Sequence, residues 1–406
     1  MSENLDYLEN LSHVYRGLIL RNRAFASFKE KGELDIIYGD ITNHITPDDV
    51  IFDPMSGYGG GMFFWGRKGY KTDNIELNPP SYYWQILINP YNTESITKSI
   101  IKLIKREKDL PRFTERFSLQ DDLFTETAIQ HIRNLLIYIN SVVKNREHAV
   151  ALLLPFVARF ANYQKSQTNI THIKHGGLCT YVGWENDFIS YLTDMKRRLE
   201  DNFPSYIEIR HRNTQGDIMN ANFPNKFKYF VTSPPYPNYR DYSKLFKIEN
   251  WVLDNIINSE NTDFSLMIGS NNVSGKPYGE IYSEKANAFL KTLAEKSKKL
   301  SKKSKRDVET YYLPYFSQYF YNIQEAYKKI DSFLEEGTIG YIVVNDNITR
   351  DIIVPVGASI CDIFDNLGYQ TNFFDKSFVS HYGNIGRSAK RINSQHMRHI
   401  LKVWKK

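Results

Sequence analysis

The chain has 406 residues, enough to bury a large core and to hold more than one folded unit. Its 41% hydrophobic content is that of a globular protein, and a formal charge of +6 permits a polyanionic partner without requiring one. Two cysteines, Cys179 and Cys361, exclude a disulfide framework and a cysteine zinc site. The longest apolar run, 149–161, is broken by Pro155 and Arg159 and too short to span a bilayer, and 1–17 carries charges throughout rather than a signal-type apolar core. A soluble, cytoplasmic protein is expected.

Residues 1–45 read as a polar, helical lead-in with an apolar stripe at Leu34, Ile36, Ile37 and Ile41. Val50–Phe52 is a short buried strand, followed by the loop Asp53-Pro54-Met55-Ser56-Gly57-Tyr58-Gly59-Gly60 and a helix opening at Met62–Trp65. Lys71–Leu77 is a second strand carrying Glu76 at its end. From about 79 to 203 the spacing turns helical, with stripes at Ile96, Ile100 and Leu103, at Ile132, Leu135 and Ile139, and at Leu152, Phe156 and Phe160. One crossover needs far less chain, so this stretch reads as an insertion. Strands resume at 206–210, which leads into Gly216-Asp217, and at Lys228–Thr232. A second insertion with a lysine-rich run at 296–306 follows. A long amphipathic helix is expected over Tyr315–Leu334, a strand over Thr338–Asn345, a helix over Ser359–Leu367, and strands over Asn372–Phe378 and His399–Trp404. The order strand, glycine turn, helix, strand, acid opens a doubly wound α/β domain with a mostly parallel sheet.

The loop at 53–60 is fit to hold a nucleoside cofactor. Its glycines allow positive φ and close approach of a ligand, and the following helix offers free N–H groups to a carboxylate. Glu76 is placed to accept hydrogen bonds from a ribose diol. The loop is neither Gly-x-Gly-x-x-Gly nor a phosphate-binding Gly-Lys-Ser/Thr loop, which disfavours dinucleotides and nucleoside triphosphates.

The second motif is Ser233-Pro234-Pro235-Tyr236, directly after Tyr229-Phe230-Val231-Thr232. A polar side chain, two prolines and a ring at a strand end make a small rigid pocket for a planar group that carries an amine. An exocyclic base amine is a poor nucleophile because its lone pair is delocalised into the ring. Acceptors aimed at its N–H groups, the Ser233 hydroxyl and the Pro234 carbonyl, localise charge on nitrogen, and the prolines hold that carbonyl in place. Tyr236 is set to stack on a base, which must be flipped out of a duplex to arrive there. Methylation at a ring carbon needs a thiolate, normally in a Pro-Cys pair; Cys179 follows Leu178 and Cys361 follows Ile360.

The two motifs together resemble the S-adenosylmethionine-dependent amino methyltransferases of DNA. Their Asp-Pro-Phe-x-Gly-x-Gly appears here as Asp53-Pro54-Met55-Ser56-Gly57-Tyr58-Gly59, with methionine replacing phenylalanine, and their (Ser/Asn/Asp)-Pro-Pro-Tyr appears as Ser233–Tyr236. The resemblance covers about 45–84 and 206 to the end. It implies a Rossmann-like class I methyltransferase core. It also implies that Asp53, Pro54, Met55, Ser56, Gly57, Gly59 and Gly60 line the cofactor, that Glu76 binds the ribose hydroxyls, and that Asp217 contacts the adenine amine. Catalysis falls to Ser233, Pro234, Pro235 and Tyr236. Serine in the first place points to cytosine N4, with adenine N6 as the alternative. Double-stranded DNA is the implied substrate, and a restriction endonuclease acting on the same site the implied partner.

The expected layout is 1–84 as the cofactor half, 85–205 as a helical insertion with a possible target-reading role, 206–251 as the catalytic strand and loop, 252–310 as a basic insertion, and 311–406 as the rest of the core. No metal is expected: His172 and His175 have no ligand partner at suitable spacing. Arg240 and the basic run 386–391 can meet phosphate or serve only as surface. An RNA or protein-amide methyltransferase shares the same pocket chemistry, and an inactive nucleic-acid-binding module is the reading from another class.

Overall fold

The computed structural model describes residues 33–112, 124, 126–157, 184–202, 211–237, 246–257, 267–270, 279–380 and 395–405. The strand expected at 206–210, Phe160, Cys179, His172, His175, Arg240 and the run 386–391 lie outside the described residues. The fold is α/β: a seven-stranded, mostly parallel sheet with flanking helices, in the order β3-β2-β1-β4-β5-β9-β8. Its strands are β1 (Val50–Asp53), β2 (Lys71–Glu76), β3 (Arg212–Gln215), β4 (Phe227–Thr232), β5 (Leu334–Asn345), β8 (Tyr369–Ser380) and β9 (Gln395–Lys405). A two-stranded ribbon, β6 (Asn347–Thr349) and β7 (Ile352–Val354), stands apart. The pairs β2–β3, β1–β4 and β4–β5 are parallel, while β9 runs antiparallel to both β5 and β8. This strand order makes β1 and β4 the place where the winding reverses, the crevice that open α/β sheets use for ligands.

The chain divides into two compact units. The first comprises Met1–Gly32, Ser56–Gln215 and Tyr242–Thr262; the second comprises Glu33–Met55, Gly216–Asp241 and Asp263–Lys406.

In the first unit, α2 (Gly60–Arg67) packs on β2, and α3 (Pro79–Ile88) packs on β2 and β3. Then come α4 (Thr93–Lys105), α5 (Glu126–Val142), α6 (Arg146–Val157), α7 (Trp184–Asn202) and the short α8 (Lys247–Val252). The expected stripes are buried: Ile96, Ile100 and Leu103 on α4, and Ile132, Leu135 and Ile139 on α5. Every residue of α6 from His148 to Val157 is buried, so this helix is the centre of the helical layer rather than an amphipathic cover.

In the second unit, α1 (Glu33–Ile41) is tied to the sheet through Asp40, which accepts from Tyr341 and Lys402. The elements α9 (Glu284–Ser297), α10 (Lys302–Asp307), α11 (Leu313–Asp331) and α12 (Val356–Asn366) complete it. Aromatic rings fill its core: Phe52 stacks on Phe227 at 4.3 Å, and Phe364 meets Phe230, Tyr327 and Tyr369. Gly340 on β5 is required by this packing, since a Cβ there would fall 2.0 Å from the Phe230 ring.

Candidate functional site

Of the motif at 53–60, Asp53, Pro54 and Met55 belong to the second unit, and Ser56 onward to the first. In the first unit, the loop is held to the end of β2. The Ser56 N–H and hydroxyl both donate to Ile75 O at 3.1 Å. Gln85 on α3 donates to Ser56 Oγ at 2.8 Å and to Gly57 O at 2.7 Å. Gly57 and Gly59 have φ of +52° and +77°, the left-handed region that side chains rarely adopt. At Gly59 an added Cβ would also lie 2.7 Å from Gln85 Cγ, so glycine is needed there for both φ and space. Gly59 ends the turn, and α2 begins at Gly60 with no side-chain cap. Its first N–H groups therefore remain available to an anion. Glu76, half-buried at the end of β2, accepts from the Asn78 N–H at 2.8 Å. Beside it, Asn78 Oδ1 is a buried acceptor with no partner among the described residues.

In the second unit, β1 and β4 pair in register, Ile51 opposite Tyr229 and Phe52 opposite Phe230, so Asp53 and the end of β4 emerge at the same edge. Asp53 is 9% exposed, and burial pushes its carboxyl up to about 7 against the pull of the Thr232 hydroxyl and the Met55 N–H. Ser233 follows directly and is exposed. Its hydroxyl lies 3.0 Å from Val343 O on β5 and 2.7 Å from the Tyr236 hydroxyl, itself 3.3 Å from the same carbonyl. Either Tyr236 donates to Ser233 and Ser233 to Val343 O, or Ser233 donates to Tyr236 and Tyr236 to Val343 O; both satisfy all three oxygens. Ser233 has one proton, and that proton is committed. What it presents outward is a lone pair, an acceptor for an N–H.

Two further bonds fix the loop. Tyr319 on α11 donates to Pro235 O at 3.1 Å, and Asn347 on β6 donates to Pro237 O at 3.0 Å. Neither uses the Pro234 carbonyl. Gly269, at φ +79°, would bring a Cβ to 3.3 Å from Tyr236 O, so the backbone packs closely here too. Beneath the loop Tyr327 is fully buried; its hydroxyl has no hydrogen-bond partner among the described residues, and burial, with Tyr236 and Asp53 nearby, raises it well above the phenol range.

The structure thus brings Asp53 and Ser233–Tyr236 to one edge of the second unit, and gathers Ser56–Gly60 with Glu76 in the first. Asp217, also in the second unit, accepts from the Met219 N–H at 2.9 Å through its carboxylate and caps the turn Ile218–Asn220. Sequence reading missed Tyr319, Asn347 and the Val343 carbonyl. Asp346 holds the Gly357 N–H at 3.0 Å and His399 Nε2 at 3.0 Å, a buried link between β5, α12 and β9. Among the described residues no cluster of three or more histidine, cysteine or acidic residues could hold a metal ion, and no helix is long and apolar enough to cross a membrane. No protein-family model matches this chain, and no curated protein is similar to it.

Proposed function

We propose that this chain is an S-adenosylmethionine-dependent methyltransferase acting on the exocyclic amine of a flipped base in double-stranded DNA, cytosine N4 foremost. The observation that carries the reading is the exposed Ser233 at the end of β4, whose only proton is taken up by Val343 O or the Tyr236 hydroxyl, beside a Pro234 carbonyl that the loop's anchoring bonds leave unused. Two adjacent acceptors suit an amine with two N–H groups and disfavour a keto group at the same position.

The loop of the first unit fits the cofactor. An added Cβ at Gly57 or Gly60 meets nothing within 4 Å, so both face open space. The start of α2 suits a carboxylate, and Glu76 at the end of β2 suits hydroxyl donors. When bound, the cofactor supplies a methyl group activated on a sulfonium. The chain's own part is to orient the amine and hold its lone pair toward that carbon, and positioning of this kind supplies much of the rate. Ser233 is no base at neutral pH, so the surplus proton leaves to water.

Such an enzyme serves as the modification partner of a restriction endonuclease that cuts the same site. The test is nucleoside mass spectrometry of DNA from cells with and without the chain, together with labelled-methyl transfer by Ser233→Ala and Tyr236→Ala. N4-methylcytosine that disappears in both variants is expected. N6-methyladenine would reassign the base; label that enters only RNA or protein would reassign the substrate; and full activity in both variants would sink the site assignment.

A further inference from the structure

The basic run at 296–306 and the Ser233–Tyr236 loop, far apart in sequence, are joined by the β6–β7 ribbon. At the root of the ribbon, Asn347 holds Pro237 O at 3.0 Å. At its tip, Arg350 and Asp351 form a two-residue turn with φ of 49° and 58°, the left-handed pair that tight hairpins need. Lys296 on α9 donates to Arg350 O and lies 3.5 Å from the Asp351 carboxylate. Each ribbon strand has three residues, so the tip stands about 10 Å from the root.

Beyond Lys296, the turn after α9 carries Lys298 and Lys299 and the start of α10 carries Lys302 and Lys303, all exposed. None of the four has an ionic partner among the described residues. Some lysines on other helices do, Lys98 with Glu94, Lys196 with Glu200 and Lys328 with Glu325; these four are distinguished by falling together between 298 and 303. Two acids that follow the run are already engaged, Asp307 with Arg350 at 3.9 Å and Glu309 with Lys305 at 3.7 Å. Four like charges this close, with no acid paired to them among the described residues, make a cationic patch that a polyanion would neutralise.

We propose that Lys298, Lys299, Lys302 and Lys303 form a phosphate-backbone contact for duplex DNA flanking the base held at Ser233. This rests on the reading of that site as a base pocket. Duplex DNA carries one charge per about 1.7 Å of axis, so several phosphates lie within the span of the ribbon from any base extruded at the loop. Lysine is suited to this role as a mobile point charge that grips backbone without reading sequence.

The test measures binding of a labelled random-sequence duplex to the full chain across salt, for the wild type and for the fourfold variant Lys298→Gln, Lys299→Gln, Lys302→Gln and Lys303→Gln. Removing four phosphate contacts lowers the slope of log K against log salt by about 3.6. Between about 50 and 200 mM salt the wild type should therefore lose about 150-fold more affinity than the variant. The control is Lys226→Gln with Lys228→Gln, exposed lysines at the opposite end of β4, which should leave the slope unchanged. S-adenosylmethionine binding by each variant, followed by calorimetry, reports that the fold is intact. A fourfold variant that binds cofactor and keeps the wild-type slope overturns this proposal alone. A slope loss on RNA but not on duplex DNA also overturns it. Wild-type protein that binds no nucleic acid overturns the base-pocket reading with it.

Discussion

Replacing Asp53 with asparagine should make the protein more stable at neutral and alkaline pH, although the residue sits in the motif expected to be most sensitive. Its carboxyl is buried at the end of β1, with the Met55 N–H at 3.3 Å and the Thr232 side chain close by. These contacts do not offset the loss of hydration, so the acid holds its proton up to about pH 7 in the folded chain, against 3.8 in the unfolded one. The folded state therefore binds the proton more tightly. The stability this gives is complete below pH 3.8 and is lost as pH rises through 7, at about 1.4 kcal/mol per pH unit between those limits. The accumulated cost at pH 8 is about 4 kcal/mol. Asparagine keeps an oxygen for the Met55 N–H and carries no charge to bury. Urea unfolding of both proteins at intervals from pH 4 to pH 8 gives the difference directly. Using the difference matters, because buried His211, pushed down to about 4, acts in the opposite sense: its stability is full above pH 6.5 and is lost as pH falls toward 4. Asp53→Asn minus wild type should rise by several kcal/mol across that range; a flat difference would refute the claim that Asp53 is buried without compensation.

Two tyrosines on α11 make a paired test. Tyr319→Phe removes the donor to Pro235 O and should lower methyl transfer about tenfold, with cofactor binding unchanged. Tyr327→Phe removes a buried hydroxyl that has no partner and should be neutral or stabilising by about 1 kcal/mol in thermal unfolding. Gly340→Ala should destabilise by at least about 1–3 kcal/mol in urea, since its methyl overlaps the Phe230 ring between paired strands where neither can retreat. Gly59→Ala should weaken S-adenosylmethionine binding in calorimetry, because it strains φ and displaces Gln85 from the loop it supports.

The alternation of apolar strands and polar turns made most of the sheet legible. Val50–Phe52, Lys228–Thr232 and Thr338–Asn345 are each within a few residues of β1, β4 and β5, because central parallel strands are continuous apolar runs. The described part of β3, Arg212-Asn213-Thr214-Gln215, carries no such signal: as an edge strand it buries little, and its residues are polar. The direction of β9 was not readable either, since strand patterning does not encode polarity. At the candidate site, the residues expected to touch ligand form motifs, but the residues that support them do not. Nothing local tells Tyr319 or Asn347 that it will face Pro235 O or Pro237 O, across 84 and 110 residues of chain. The β6–β7 ribbon was missed because its three-residue strands are too short to show a period.

The shared carbonyl of Val343 bears on turnover. On the proposed chemistry, the incoming amine brings two N–H groups to two acceptors, while the methylated product brings one. Ser233 meets both as an acceptor, because either arrangement of the two hydroxyl protons at Val343 O uses its own. The reaction thus removes half of the polar grip on its own product, about 1 kcal/mol or several-fold in affinity. Departure of the finished base is favoured by the same hydrogen-bond arithmetic that selected the starting one.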